Sequence, residues 1–127
     1  VMNAARKPQK INKDWGHELW LANNEKEDYC GKILYIKPGM STSLHFHKNK
    51  HETFYVLEGE LDVETICTAT TVKTNHFLQE GDTFELDRLV PHKLTCPLAG
   101  VKTPNKGVKF IEISTYHEDC DSYRISR

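Results

Sequence analysis

Between residues 39 and 59 the chain reads GMSTSLHFHKNKHETFYVLEG, a stretch rich in side chains that bind metal ions. His45 and His47 are two apart, so on a strand both imidazoles point to one face while Phe46 between them points to the other. Residues 48–51 have turn-forming character and return the chain to Glu52, and the apolar run 54–57 reads as the returning strand. A carboxylate then faces two imidazoles. Two or three histidines with one glutamate suit Zn, Fe, Mn, Co or Ni, divalent metals that accept nitrogen and hard oxygen together. His51, next to Glu52, faces the other way on a strand and reads as solvated or as a support to the ligands.

The elements that must position these groups are short strands. Residues 30–37, 61–66, 83–86 and 108–115 carry β-branched and apolar residues bounded by Gly, Pro and Asp, and 68–74 favours a strand or a twisted connection. Pro91 restricts Val90 to an extended conformation and so helps to aim His92. The segment 97–107 holds two Pro and two Gly and reads as a loop. Roughly eight to ten strands with no sustained helical period point to an all-β sandwich or barrel. Trp15 and Trp20 are costly to expose and are expected to pack on the outside of the barrel or on a second copy.

At 127 residues the chain is one domain with enough core to fold without staples. The expected division is an N-terminal arm over 1–14, a barrel over 15–118 and a C-terminal tail over 119–127. A net charge of −1 gives no general attraction to nucleic acid or to acidic membranes, and no apolar run is long enough to span a bilayer. Cys30, Cys67, Cys96 and Cys120 are widely spaced, and with no signal-like opening segment, reduced thiols in a cytoplasmic setting are the expectation.

Gly39, His45, His47, Glu52 and Gly59 fit the pattern G(X)5HXH(X)4E(X)6G, residue for residue, and Gly81 precedes His92 by eleven positions. In these features the chain resembles the metal-binding cupins. Asp87, Leu89 and Cys96 stand where the second motif of that family usually has Pro, Gly and Asn. The resemblance implies a single-domain jelly-roll β-barrel in which His45, His47, Glu52 and His92 hold a divalent transition metal (Zn, Mn, Fe, Co or Ni), and a homodimer formed by exchange of N-terminal strands. Residues 13–20, KDWGHELW, are similar to the K-x-W-G-x-E-x-W opening of cupin-type mannose-6-phosphate isomerases. Residues 110–115 with Asp119, Asp121 and Arg124 are similar to the closing segment of the same sugar-active group, although this chain ends in YRISR.

That resemblance implies a small-molecule partner, a sugar or sugar phosphate, and aldose–ketose isomerisation or epimerisation by proton transfer. Glu112, in an otherwise apolar run, is the first candidate for the proton-carrying base, because an unpaired carboxylate there demands a polar cavity. Lys32, Tyr35 and Tyr55 are expected to line the barrel, with Lys32 and Tyr55 as further catalytic candidates. Lys93, Lys109 and Arg124 are solvated surface unless a phosphate meets them. Two other functions share the same ligand set: an iron or nickel dioxygenase, and a ligand-binding protein without turnover.

Overall fold

The computed structural model describes residues 3–99 and 106–126. Alternation with a period of two builds the molecule, and it is clearest in Tyr29–Ile36, where Cys30, Lys32, Leu34 and Ile36 are buried and the residues between them are not. Among the described residues eleven strands form: β1 (Gln9–Lys13), β2 (Gly16–Asn24), β3 (Tyr29–Ile36), β4 (Leu44–His47), β5 (Glu52–Glu58), β6 (Leu61–Ile66), β7 (Lys73–Leu78), β8 (Thr83–Leu86), β9 (His92–Thr95), β10 (Val108–Ser114) and β11 (Ser122–Ser126). They make two antiparallel sheets, one in the order β1-β2-β3-β10-β5-β8 and one in the order β11-β4-β9-β6-β7. This is the all-β jelly roll. No helix among the described residues is long and apolar enough to cross a membrane.

Register divides the interior into two halves. Leu34 stands opposite Phe110, and Phe110 opposite Val56, so the row across β3, β10 and β5 is apolar. With Ile36, Phe54 and Val108 it meets Leu61, Val63, Leu78 and Leu94 of the other sheet, and the rings of Phe54 and Phe110 pack edge to face at 5.6 Å. Each such side chain contributes about 1.5–3 kcal/mol on burial. The next two rows are largely polar: Lys32 stands opposite Glu112, and Cys30 opposite Ser114 opposite Glu52. Half the barrel is therefore a dry plug, and the other half is polar.

Two turns show what the motif residues do. Gly59 has φ +82°, and a Cβ there would collide with the carbonyl of Gly107, so only glycine fits between β5 and β6. Leu89, where the second motif usually has glycine, keeps the left-handed conformation with φ +69°, and its amide donates to the carbonyl of His47 at 2.7 Å.

The chain ends differ from the expected arm and tail. Residues 9–13 are the edge strand β1, paired with β2 through five register positions from Gln9↔Trp20 to Lys13↔Gly16. Beyond residue 118 come a 3-10 turn, Asp119–Asp121, and β11, which pairs with β4. Both ends escaped the strand pattern because each strand is only five residues long and exposed: β1 has one apolar residue, and β11 alternates but turns Tyr123 and Ile125 outward. The connection over 68–74 is a turn that gives way to β7 at Lys73. The expected loop over 97–107 lies in part, at 100–105, outside the described residues.

Candidate metal centre and cavity

Two neighbouring strands of one sheet deliver the imidazoles, and a strand of the other sheet delivers the carboxylate. β4 places His45 and His47 on its inner face, β9 opens with His92 directly opposite His45, and β5 opens with Glu52. Nitrogen atoms of His45, His47 and His92 all lie within 4.8 Å of one another. Oε2 of Glu52 is 3.4 Å from Nε2 of His47 and 3.6 Å from Nε2 of His92. Backbone carbonyls fix the other ring nitrogens: Nδ1 of His45 meets the oxygen of Ser43 at 2.9 Å, that of His92 meets Val90 at 2.9 Å, and that of His47 meets Asp121 at 3.3 Å. Each contact suits an Nδ1–H donor and leaves Nε2 as a lone pair for the centre.

Electrostatics points the same way. Burial, with the nearby Lys50 ammonium, lowers His47 to about 2, and burial, with His45 beside it, lowers His92 to about 3. His45 is lowered by burial as well. The imidazoles are thus neutral, as ligands must be. Burial pushes Glu52 up to about 8 against the pull of Lys50, and its Oε2 is buried with no hydrogen-bond partner among the described residues. An orphaned carboxylate oxygen facing three nitrogen lone pairs is a donor set that a divalent cation completes.

The cluster opens into a cavity of about 640 Å³. Its wall is a network of buried charge. Lys50, 4% exposed, donates from Nζ to Oε2 of Glu112 at 3.0 Å and to Nδ1 of His117 at 3.1 Å, and lies 3.6 Å from Oε1 of Glu52. Burial alone would discharge this ammonium, but Glu112 and Glu52 hold it protonated above its ordinary value. Burial alone would likewise raise Glu112, yet Lys50 and Lys32 outweigh it and keep that carboxyl well below the ordinary range. Lys32 lies 3.5 Å from Oε1 of Glu18 and 4.4 Å above the ring of Trp20. Nε2 of His117 continues the network to Asp119 at 2.9 Å.

Of the residues singled out in the sequence, His45, His47, Glu52 and His92 come together, and Glu112 and Lys32 face the same cavity. Tyr55 does not. The alternation that turns Glu52, Phe54 and Val56 inward turns Tyr55 outward, where it is 36% exposed. Tyr35 also faces out; it stacks on His17, and its hydroxyl donates to the carbonyl of Lys106. Trp15 and Trp20 are corrected in the opposite sense: Trp15 lines the cavity and packs on the core, and Trp20 lies under Lys32, edge-on to His117. His51 pairs with Glu85 at 2.9 Å outside the site. Lys50 and His117 went unforeseen because each sits in a turn or an irregular segment, where alternation gives a side chain no direction. No disulfide joins the four cysteines, all among the described residues; Cys96, at the usual Asn position of the motif, is a buried core residue.

A two-sheet β-barrel holding a histidine–carboxylate cluster at the floor of an internal cavity is the architecture these observations define. The chain belongs to the cupin family, whose domain model matches residues 32–98. Among solved structures it is similar to the capsular polysaccharide assembling protein CapF from Staphylococcus aureus, with TM-score 0.81 and 14% identity over 98% of this chain and 33% of that one. It is also similar to oxalate decarboxylase from Bacillus subtilis, with TM-score 0.77 and 16% identity over 93% of this chain and 30% of that one. The chain thus spans about a third of the length of each, and at these identities the likeness is one of fold. No curated protein matches the sequence closely enough to count as a relative.

Proposed function

We propose that the chain binds a divalent transition metal through His45, His47, Glu52 and His92 and acts on a sugar or sugar phosphate as an aldose–ketose isomerase or epimerase. The observation that carries this reading is the unpartnered Oε2 of Glu52 facing three neutral imidazoles at the floor of a polar cavity roomy enough for a monosaccharide. A metal bound there supplies Lewis acidity toward a carbonyl and its neighbouring hydroxyl. Glu112 is the proton carrier in this reading: Lys50 and Lys32 keep it ionised, so it stands ready to accept a carbon-bound proton and return it to the adjacent carbon. Lys32 and Lys50 keep that carboxylate in place, and the hydroxyl-rich wall at Ser41, Thr42 and Ser43 offers partners to a polyol. The expected homodimer stays part of the proposal, since β1 ends its sheet with one hydrogen-bonding edge uncovered by another described strand.

One observation favours a second reading, a ligand-binding cupin without turnover. The ammonium groups that keep Glu112 ionised also make it a weak base. The test is a panel of aldoses, ketoses and their phosphates incubated in deuterated water with protein loaded with Mn, Fe, Zn, Co or Ni. Deuterium entering the substrate carbon supports the isomerase; tight binding with no exchange supports the second reading; oxygen uptake by the iron-loaded protein overturns both in favour of a dioxygenase. His45→Ala and Glu52→Ala are expected to lose the metal by mass spectrometry while keeping the β spectrum in circular dichroism, and unchanged metal content in either would sink the ligand assignment.

A further inference from the structure

A second group of metal-binding side chains lies outside the cavity, on the other face of the sheet that carries Glu52. β5 and β8 pair so that Glu52 stands opposite Leu86 and Thr53 opposite Glu85. Parity turns Glu52 and Leu86 inward, so His51, Glu85 and Asp87 beside them project from the outer face. Carried one step past Glu52, the same register sets His51 across from Asp87 with Glu85 as its diagonal neighbour, both within cross-strand reach. Nε2 of His51 lies 2.9 Å from Oε2 of Glu85 and 3.6 Å from Oδ1 of Asp87, and one donor atom from each of the three lies within 4.8 Å of the other two. The amide of His51 donates to Oγ1 of Thr115 at 3.0 Å and its carbonyl accepts the amide of Thr115 at 3.1 Å, so the histidine stands on backbone tied from both sides.

Hydrogen bonding explains only half of this arrangement. An imidazole nitrogen carries one proton at most, and Glu85 is placed to take it, whereas Asp87 lies beyond hydrogen-bond distance. Two carboxylates thus converge on a nitrogen that can serve one of them. A cation serves both. Donors bound to zinc at about 2.0–2.2 Å in a tetrahedron stand roughly 3.3 Å from one another, and the two contacts at His51 straddle that edge. One nitrogen, two hard oxygens and the two negative charges of the carboxylates complement a divalent transition metal. We infer that His51, Glu85 and Asp87 form an outward-facing zinc-class site that clips the end of β8 to the start of β5, with water in the fourth position. β8 is a four-residue strand at the edge of its sheet, paired with β5 alone, so it is the strand that gains most from a clip. The site shares no ligand with the inner cluster and stands apart from the sugar-active reading.

The test counts bound zinc in the full chain, stripped with a chelator and brought to equilibrium dialysis against micromolar zinc, because an ion at an open site exchanges with the medium. The unaltered protein is compared with His45→Ala, which empties the inner cluster, with the pair Glu85→Gln and Asp87→Asn, and with all three changes together. Both outer carboxylates are exposed and their amides keep the same shape, so the pair is expected to retain the fold in circular dichroism. Two zinc ions are expected in the unaltered protein, one in His45→Ala, one in the outer pair and none in the triple variant. Zinc should also raise the thermal midpoint of His45→Ala and leave that of the triple variant where it was, since an ion that binds only the folded state stabilises it. Equal zinc in the outer pair and the unaltered protein overturns the inference, as does binding by His45→Ala that appears only at millimolar zinc. A single ion that survives His45→Ala and is lost from the outer pair upholds the outer site and defeats the inner ligand assignment. A single ion with the opposite dependence does the reverse.

Discussion

Leu89 holds a left-handed backbone, φ +69°, with its side chain 56% exposed, so the conformation is strained while little packing is at stake. The strain costs about 1–2 kcal/mol for an L residue, and the greater freedom of glycine in the unfolded chain takes back about 0.4–1 kcal/mol. Leu89→Gly should thus gain roughly 0.5–1 kcal/mol, read as a higher urea midpoint at unchanged slope. The thiols offer a second test. Hydrogen bonds from Thr70 and neighbouring backbone lower Cys67, while the Glu118 carboxylate raises Cys120, and both are exposed. The thiolate is the nucleophile, so iodoacetamide at neutral pH should label Cys67 ahead of Cys120 by mass spectrometry, and the gap should close as pH rises through the value for Cys120. At this scale the ligands were legible because strand parity and motif spacing agree on them. The same parity, started at Glu52, already sends Tyr55 outward, so the sequence carries the correction to that candidate. Lys50 carries no such mark, being one of several polar residues in a turn.

At the scale of elements, the connection between β4 and β5 is the part on which the centre depends, since His47 ends one strand and Glu52 begins the next. Asp121 organises it. The buried carboxylate accepts the amides of Lys48, Asn49 and Lys50 at 3.0–3.2 Å, and its own carbonyl meets Nδ1 of His47. Asp121→Ala leaves three inward-facing amides without that acceptor and should cost about 3 kcal/mol in denaturant unfolding. Because the histidine and glutamate then lose a common brace, metal affinity should fall about 10–100-fold by competition with a chelator. A variant that unfolds earlier yet binds metal as before would show that the turn keeps its shape without Asp121. The strands on either side of this turn follow from period-two alternation; the brace does not, because its two halves lie more than seventy positions apart in the chain.

For the whole molecule, the sheet edges decide where the domain ends. A fragment of residues 15–118 matches the division read from hydrophobic pattern, but it lacks β1 and β11 and leaves β2 and β4 as bare edges. Exposed edges template association, and the loss of the C-terminal segment also removes Ser122 and Arg124 from the cavity wall and the carbonyl of Asp121 from Nδ1 of His47. The fragment should elute as aggregate in size-exclusion chromatography and hold no metal, whereas residues 9–126 should behave as the full chain does. A monodisperse 15–118 fragment with full metal content would return the boundaries to where pattern alone puts them. The two end strands escape the pattern because Gln9–Lys13 carries a single apolar residue and Ser122–Ser126 is short, with its apolar residues, Tyr123 and Ile125, exposed.

The apolar row of Leu34, Phe110 and Val56 bears on more than stability. Since that dry end clamps the two sheets by itself, substitutions at the wet end need satisfy only their immediate neighbours. A lineage built this way can exchange one chemistry for another by small steps while its scaffold stays above the threshold for folding.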